Sequence, residues 1–463
     1  MNFKNFDFFS PYIVAIAIIV FLSMGYIGSF NYRFEYPLSL ETIGTVLLAT
    51  LVFLIGAGIV KFKVTIDETA SSPIYAKIND FFNRKILIAL VLITIILQSI
   101  NMILIGGIPL FNSVLKSNAT TNIWRIAYPL FLIMINILIA KYYKKRYLIL
   151  VLIGALIFGL NGYRTSVLGI LASVFITMYY INKINRKIGI LFVGLIVIGL
   201  LAIGYIASQS ISGQHWMLNP LELIFYRAGF TLEVFQRILN LGGTTHGHIL
   251  SMIFSSGSPR TFIGQYVLTD NVCITSTMFG PAYLDFGLIG VLIQMFFMGV
   301  FLKVINIVGK YKKEIGIGIY SIILAHTLIW IETGPTDIMI WFLYLLGFIL
   351  IILNYKNIKL NKISNITPLL GDCINITPDY KADRIIMGYV KTTHHYLKVA
   401  IDSLNKGGVI HYHETVPEKL MDIRPINRIK ELAGDRQVEF LKLNKVKKYS
   451  PGVFHVVCDA RIN

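Results

Sequence analysis

Charge is scarce in this chain: only 14% of its 463 residues are Asp, Glu, Lys or Arg, against about 25% in an ordinary soluble domain. With 55% hydrophobic residues, no purely globular fold could hide so much apolar surface. Cysteine is nearly absent. Cys273, Cys373 and Cys458 are too widely spaced for a metal-ligand cluster and form no paired disulfide framework. There is no internal repeat, no coiled-coil heptad and no low-complexity tail. The N-terminus also has no convincing small-x-small cleavage site before Asn31, so the apolar stretch over 11–30 reads as a retained spanning helix rather than a secretory signal.

What is present is a series of long apolar runs that stop at Leu353, followed by residues of ordinary cytosolic character. A spanning helix needs about 20 mostly apolar residues. The sequence offers candidates at 11–30, 40–60, 86–105, 123–140, 147–160, 165–181, 188–207, 284–307, 315–331 and 336–353. The fifth and sixth are separated only by Asn161 to Arg164, as a tight hairpin or one kinked region. Positively charged short loops stay cytoplasmic. With the N-terminus inside, 17 Lys and Arg fall on inner segments and 7 on outer ones, which predicts a multi-pass cell-membrane protein with both termini cytoplasmic. One outer segment, 208–273, is much longer than the rest and holds an amphipathic stretch, Pro220 to Leu239, expected to lie on or fold back into the membrane.

Arginine near a bilayer is costly, so Arg164, Arg227 and Arg260 call for an explanation. A planar guanidinium grips phosphate through two parallel hydrogen bonds, which a lysine cannot match. Snorkelling, or pairing with Glu222, Glu233 or lipid headgroups, is the plainer alternative. These arginines sit among short motifs: Gly106 to Phe111 after the third span, Asn161-Gly162-Tyr163-Arg164-Thr165 before the sixth, and Tyr226-Arg227-Ala228-Gly229 early in the long loop. Ser258-Pro259-Arg260 follows late in the loop, and Phe279 to Gly290 enters the eighth span. In order and spacing they resemble the O-antigen polymerase, or oligosaccharide repeat-unit polymerase, family over residues 1–350.

That resemblance implies a membrane glycosyltransferase that moves a polyprenyl-diphosphate-linked glycan onto a second lipid-linked glycan at the outer face, without metal or other cofactor. Arg164, Arg227 and Arg260 would then stabilise the departing diphosphate. Asp285, Glu222, Asp270, His215 or His326 would supply a base; Asp285 stands at the mouth of a spanning helix, where capping that helix is the plainer reading. His246 and His248 form a pair without a third ligand, and no metal is assigned to them.

From Asn354 the pattern changes to strands at 367–371, 383–388, 408–414, 438–443 and 453–461, with helices at 392–405 and 417–433. The words Gly371-Asp372-Cys373, Ala382 to Tyr389 and Gly408 to Thr415 resemble the C-terminal half of the S-adenosylmethionine-dependent tRNA methyltransferase and wybutosine-synthesising enzymes. Met387-Gly388-Tyr389 stands where the methyltransferases carry an Asn-Pro-Pro-like turn, which favours the wybutosine, or aminocarboxypropyl-transferring, branch.

By position, the resemblance puts Asp372 beside the adenine of S-adenosylmethionine and Met387, Gly388 and Tyr389 beside the transferred group, with tRNA as the partner. His411, His413 and Glu414 are further candidates, although histidines alternating across a strand are the plainer reading. The glycine-rich turn expected before Tyr355 is replaced by membrane helix, so the tail is not expected to bind the cofactor. The basic tail, 18 Lys and Arg against 11 Asp and Glu, suits RNA or is simply a solvated surface.

The expected architecture is therefore a polytopic all-α membrane domain of about ten spans, residues 1–353, followed by a truncated α/β, Rossmann-like class I methyltransferase half over 354–463. A membrane-anchored tRNA-modifying transferase, a misjoined gene and a lipid-linked glycan transporter are the competing readings.

Overall fold

The computed structural model describes residues 7–31, 34, 36–60, 78–184, 189–192, 194–196, 198, 201–202, 205, 218–255, 257–269, 272–311, 314–360, 372–388 and 392–463. The chain folds as two units, Met1–Ile363 and Ser364–Asn463.

The first unit is helical. Its apolar runs become α1 (Tyr12–Gly28), α2 (Leu40–Ile59), α3 (Arg84–Leu104), α4 (Asn122–Tyr142), α5 (Tyr147–Gly159) and α6 (Arg164–Tyr180). The long loop carries α7 (Pro220–Leu239), α8 (His248–Ile253) and α9 (Pro259–Leu268), and α10 (Gly280–Tyr311), α11 (Ile315–Thr333) and α12 (Ile338–Leu360) complete the unit. Five of these, α2, α3, α4, α10 and α11, are long and apolar enough to cross a membrane, and α1, α5, α6 and the apolar part of α12 are shorter apolar helices. Of the expected span at 188–207, the described residues, 189–192, 194–196, 198, 201–202 and 205, are helical. At the other extreme α12 continues past Leu353, where hydrophobicity stops, because backbone hydrogen bonding does not require apolar side chains.

Residues 147–181 form two helices joined by a tight turn, not one kinked span. Gly162 sits at φ +76°, and a Cβ there would come within 3.2 Å of the Leu110 Cα. Only glycine meets both demands without strain. The Leu110 amide donates to the Leu160 carbonyl at 2.8 Å, which fastens the Gly106 to Phe111 segment onto this turn.

The amphipathic helix α7 folds back against α1. Its start is fixed by a capping box between Asn219 and Glu222. Its inner stripe, Ala228, Gly229, Thr231, Leu232, Val234, Phe235 and Ile238, is buried. Small residues bring the backbones together, as in helix pairs within membranes. A Cβ on Gly28 would fall 1.9 Å from the Phe225 carbonyl oxygen, and one on Gly229 would fall 3.0 Å from the Gly28 carbonyl carbon. Because this contact holds the helix bearing Arg227, Gly28→Leu should push α7 away and destabilise the unit by about 1–3 kcal/mol. Thermal unfolding in detergent measures it, and an unchanged midpoint would contradict the packing argument.

Polar clasps close the two ends of the bundle. At the end where α6 finishes and α11 begins, Asp7 accepts from Lys310 Nζ at 2.6 Å and from Tyr180 Oη at 3.1 Å, while Asn306 donates to Tyr180 Oη. The start of α6 and the end of α11 meet at the opposite end, which carries the candidate site.

The second unit is a four-stranded sheet in the order β1-β2-β4-β3, from β1 (Ala382–Met387), β2 (Leu404–Pro417), β3 (Val438–Ser450) and β4 (Val453–Ile462). β1 runs parallel to β2, and the other pairings are antiparallel. Two helices, α13 (Leu397–Asp402) and α14 (Arg424–Ala433), contribute Leu397, Ile401 and Ile429 to one core with Ile410, Tyr412, Cys458 and Ala460. β3 is longer than its apolar stretch predicts: Asn444 to Ser450 stay extended because Val453 to Val457 of β4 pair with them across a turn at Pro451-Gly452. The strand expected at 367–371 lies outside the described residues.

Candidate active site

Three segments deliver the three arginines to one place. Arg164 is the first residue of α6, immediately after the Asn161-Gly162-Tyr163 turn, and Arg227 projects from the middle of α7. Both reach Glu332, near the end of α11. Arg164 Nη2 donates to Glu332 Oε1 at 2.5 Å, and Arg227 Nε donates to the same oxygen at 3.1 Å. Arg227 Nη2 also donates to Thr275 Oγ1 at 3.1 Å. Arg260, in the first turn of α9, donates through Nε to Thr336 Oγ1 at 2.8 Å, and its carbonyl accepts from the Ile274 amide. The arginines are thus tied to the Glu332 to Thr336 turn and to the adjoining Ile274-Thr275 segment.

The turn itself is fixed. Gly334 has φ +74°, and a Cβ there would lie 2.7 Å from the Thr277 carbonyl oxygen. Trp341 Nε1 donates to the Pro335 carbonyl at 2.9 Å. Lys116, on the short helix Ser113–Ser117, adds a fourth cation. Burial, and then the charges of Arg164 and Arg227, lower its ammonium below the ordinary lysine value. The Lys116 carbonyl accepts from Tyr163 Oη at 2.7 Å, so this segment is held against the Arg164 turn.

The cluster is open: the side chains of Arg164, Arg227 and Glu332 are 21%, 36% and 26% exposed. Three guanidiniums and an ammonium against Glu332, with Asp337 one residue past the turn, leave a surplus of positive charge and of N–H donors, suited to a polyanion.

The other sequence candidates are placed differently. Asp285 is buried, and both of its oxygens are engaged: Oδ1 accepts from Thr245 Oγ1 and the Ile249 amide, and Oδ2 from the Leu250 amide. It therefore caps α8, a different helix from its own. Glu222 caps α7. His326 is buried, 3.5 Å from Tyr128 Oη. His248 packs its ring edge-on to Phe262. His215 and Asp270 lie outside the described residues. Among the described residues, no three His, Cys, Asp or Glu side chains gather as metal ligands.

Sequence reasoning missed Glu332. Its signal was an acidic residue closing an apolar span just before Gly334-Pro335.

Beside the cluster, an apolar groove of about 900 Å³ opens along α4, α10 and α12, lined by Arg125, Ile338, Met339, Trp341 and Phe348 among others. Ile338 follows Asp337 directly, so the groove begins one step along the chain from the turn that receives Arg260.

In the second unit, Asp372 is exposed and its carboxylate accepts from the Ile374 amide, capping its own turn. Met387 is buried in the core with Tyr412, Gly388 has open space around it, and Tyr389 lies outside the described residues. Among the described residues β1 is an edge of the sheet. Of the assigned residues, Asp372 thus caps its own turn through one oxygen and Met387 packs in the core. His411 pairs with Asp459 at 2.7 Å and His413 with His455 at 3.1 Å across β2 and β4. Glu414 is buried and binds Arg424 and Arg428.

The first unit is thus a helical membrane protein with an arginine-rich cluster where its loops meet its helix ends. A sequence profile of O-antigen polymerases matches residues 7–344, and the chain belongs to the O-antigen polymerase family. An uncharacterized protein of Methanocaldococcus jannaschii is 33% identical over 277 residues, covering 57% of this chain and 75% of that protein. A profile of the TRM5/TYW2 methyltransferase domain matches residues 315–441.

The tRNA(Phe) (4-demethylwyosine(37)-C(7)) aminocarboxypropyltransferase of M. jannaschii is 49% identical over 109 residues, covering 23% of this chain and 43% of that enzyme. The chain therefore spans less than half the length of that relative. The crystal structure of M. jannaschii TYW2 in complex with AdoMet is similar at 46% identity, over 24% of this chain and 52% of that one, with a TM-score of 0.22. The protein joins an O-antigen polymerase family part to a TRM5/TYW2-like part.

Proposed function

We propose that the membrane unit polymerises lipid-diphosphate-linked oligosaccharide units, with Arg164, Arg227 and Arg260 gripping the diphosphate that departs from the donor. The observation that carries this is the convergence of Arg164 and Arg227 on one carboxylate oxygen, with Arg260 on the same turn. As the bond from sugar to diphosphate breaks, negative charge grows on the leaving oxygen, and preorganised cations lower the barrier by stabilising it. The apolar groove beside the turn suits the polyprenyl chain of such a donor, with Arg125 at its polar end. The apolar runs are read as about ten spans, and the charge bias of the loops supports both termini cytoplasmic and the cluster on the outer face. The test is the glycan ladder in cells lacking the gene, complemented with wild-type or arginine-substituted protein.

A second reading, tRNA modification by the tail, draws on the 49% identity to an aminocarboxypropyltransferase. The burial of Met387 in the core weighs against it. The full chain in detergent, dialysed to equilibrium against radiolabelled S-adenosylmethionine, is expected to show no saturable uptake. Saturable binding, lost on Met387→Trp, would reinstate the tail as a transferase.

A further inference from the structure

Building on that diphosphate-binding reading, we infer that Glu332 has two successive roles: counter-ion holding Arg164 and Arg227 together before substrate arrives, and base for the acceptor hydroxyl once the diphosphate has displaced it. The geometry is specific. Both guanidiniums bind Oε1, while Oε2 receives no hydrogen bond among the described residues. The side chain is 26% exposed, so that second oxygen is not sealed away.

A diphosphate offers more negative charge and more acceptor oxygens than one carboxylate, and it competes for the same donors. When it takes the two guanidiniums, Glu332 loses its partners at the moment and place where a proton must be accepted. None of the other described carboxylates accepts a hydrogen bond from Arg164 or Arg227. Asp285 caps α8 with both oxygens, Asp337 accepts from the Met339 amide at the start of α12, and Glu222 caps α7.

In the transfer, the acceptor hydroxyl oxygen forms a bond to the anomeric carbon of the donor. The bond from that carbon to the diphosphate oxygen breaks, its electron pair leaving on the oxygen that the arginines hold. The hydroxyl proton passes to Glu332 Oε2, and no oxidant, reductant or further reactant is needed. Glu332 returns its proton to water as the polyprenyl diphosphate leaves and the arginines close on the carboxylate again.

Two measurements on the full chain test this: titration calorimetry of the detergent-purified protein with inorganic pyrophosphate, and the glycan ladder in complemented cells. Glu332→Gln removes the competing charge and the base together. It should bind pyrophosphate about tenfold more tightly than wild type, since the anion no longer competes for the guanidiniums. It should also lower polymer output by about a hundredfold or more, the usual contribution of a general base.

Equal or weaker pyrophosphate binding by Glu332→Gln would overturn the inference, because Glu332 would then serve only to position the arginines. Tighter binding with a normal ladder would overturn the assignment as base. Absence of pyrophosphate binding in both proteins would overturn the diphosphate reading itself. Should Glu332→Gln fail to fold, Glu332→Asp decides: its shorter carboxylate reaches both arginines less well, so tighter pyrophosphate binding with partial polymer output is expected, and weaker binding refutes the inference.

Discussion

Replacing Arg227 by alanine is expected to remove the glycan ladder, with polymer output falling by about a hundredfold or more, the scale of losing one preorganised donor to a developing oxyanion. Arg227 stands out because it carries two relations at once: its Nε holds Glu332 and its Nη2 holds Thr275. The helix that bears it is packed on α1 through glycines that allow no side chain, so the guanidinium starts from a fixed base. Lysine keeps the charge but has one point donor where the site uses a planar fork. Arg227→Lys should therefore recover little of the ladder, although it preserves the local charge. Arg164→Ala, at the other side of the same carboxylate oxygen, should fail to the same degree. A full-length ladder from either Arg227 variant in cells lacking the gene would end the catalytic reading of the cluster.

The sequence made the arginines visible and left their partner hidden, for a physical reason. A guanidinium near a bilayer calls for an explanation, so Arg164, Arg227 and Arg260 stand out one by one. Glu332 ends an apolar run, where any polar residue is unremarkable, and its importance arises only when α6 and α7 meet α11 in space. Asp285 is the opposite case. An acid at the mouth of an apolar helix invites a chemical reading, yet its two oxygens serve the amides of α8, a helix about forty residues away in sequence that no local pattern links to it. Helix positions in the first unit were legible because apolar run length reports them directly, whereas the tail helices expected at 392–405 and 417–433 shrink to Leu397–Asp402 and Arg424–Ala433, with Leu404–Pro417 taken by β2. The extension of β3 through Lys445, Lys447 and Lys448 was not legible, since its stability comes from cross-strand pairing with β4 and not from its own hydrophobicity.

The chain holds a second carboxylate shared by two arginines, and comparing it with the first separates a site from a support. Glu414 Oε1 accepts from Arg424 Nε at 2.7 Å and Arg428 Nη1 at 2.6 Å, much as Glu332 Oε1 accepts from Arg164 and Arg227. The Glu414 side chain is 4% exposed, against 26% for Glu332, and its Oε2 is buried without a partner. At that exposure the Glu414 carboxylate is almost closed to solvent. What it does instead is fix α14 to β2, with Arg424 Nη2 donating to the neighbouring Thr415 carbonyl at 2.5 Å.

Removing one member of a buried ion pair leaves charge uncompensated and costs about 3–5 kcal/mol, a large fraction of the 5–15 kcal/mol that holds a typical domain together. Glu414→Ala in the full chain should accordingly open the sheet. Amide hydrogen exchange along β2 and β4 is expected to accelerate by about a hundredfold or more, because protection tracks the opening free energy. Exchange in the first unit should stay unchanged, since the pair touches only the second. Unaltered protection of Ile410, Tyr412, Cys458 and Ala460 would mean that the arginine pair adds nothing to that core.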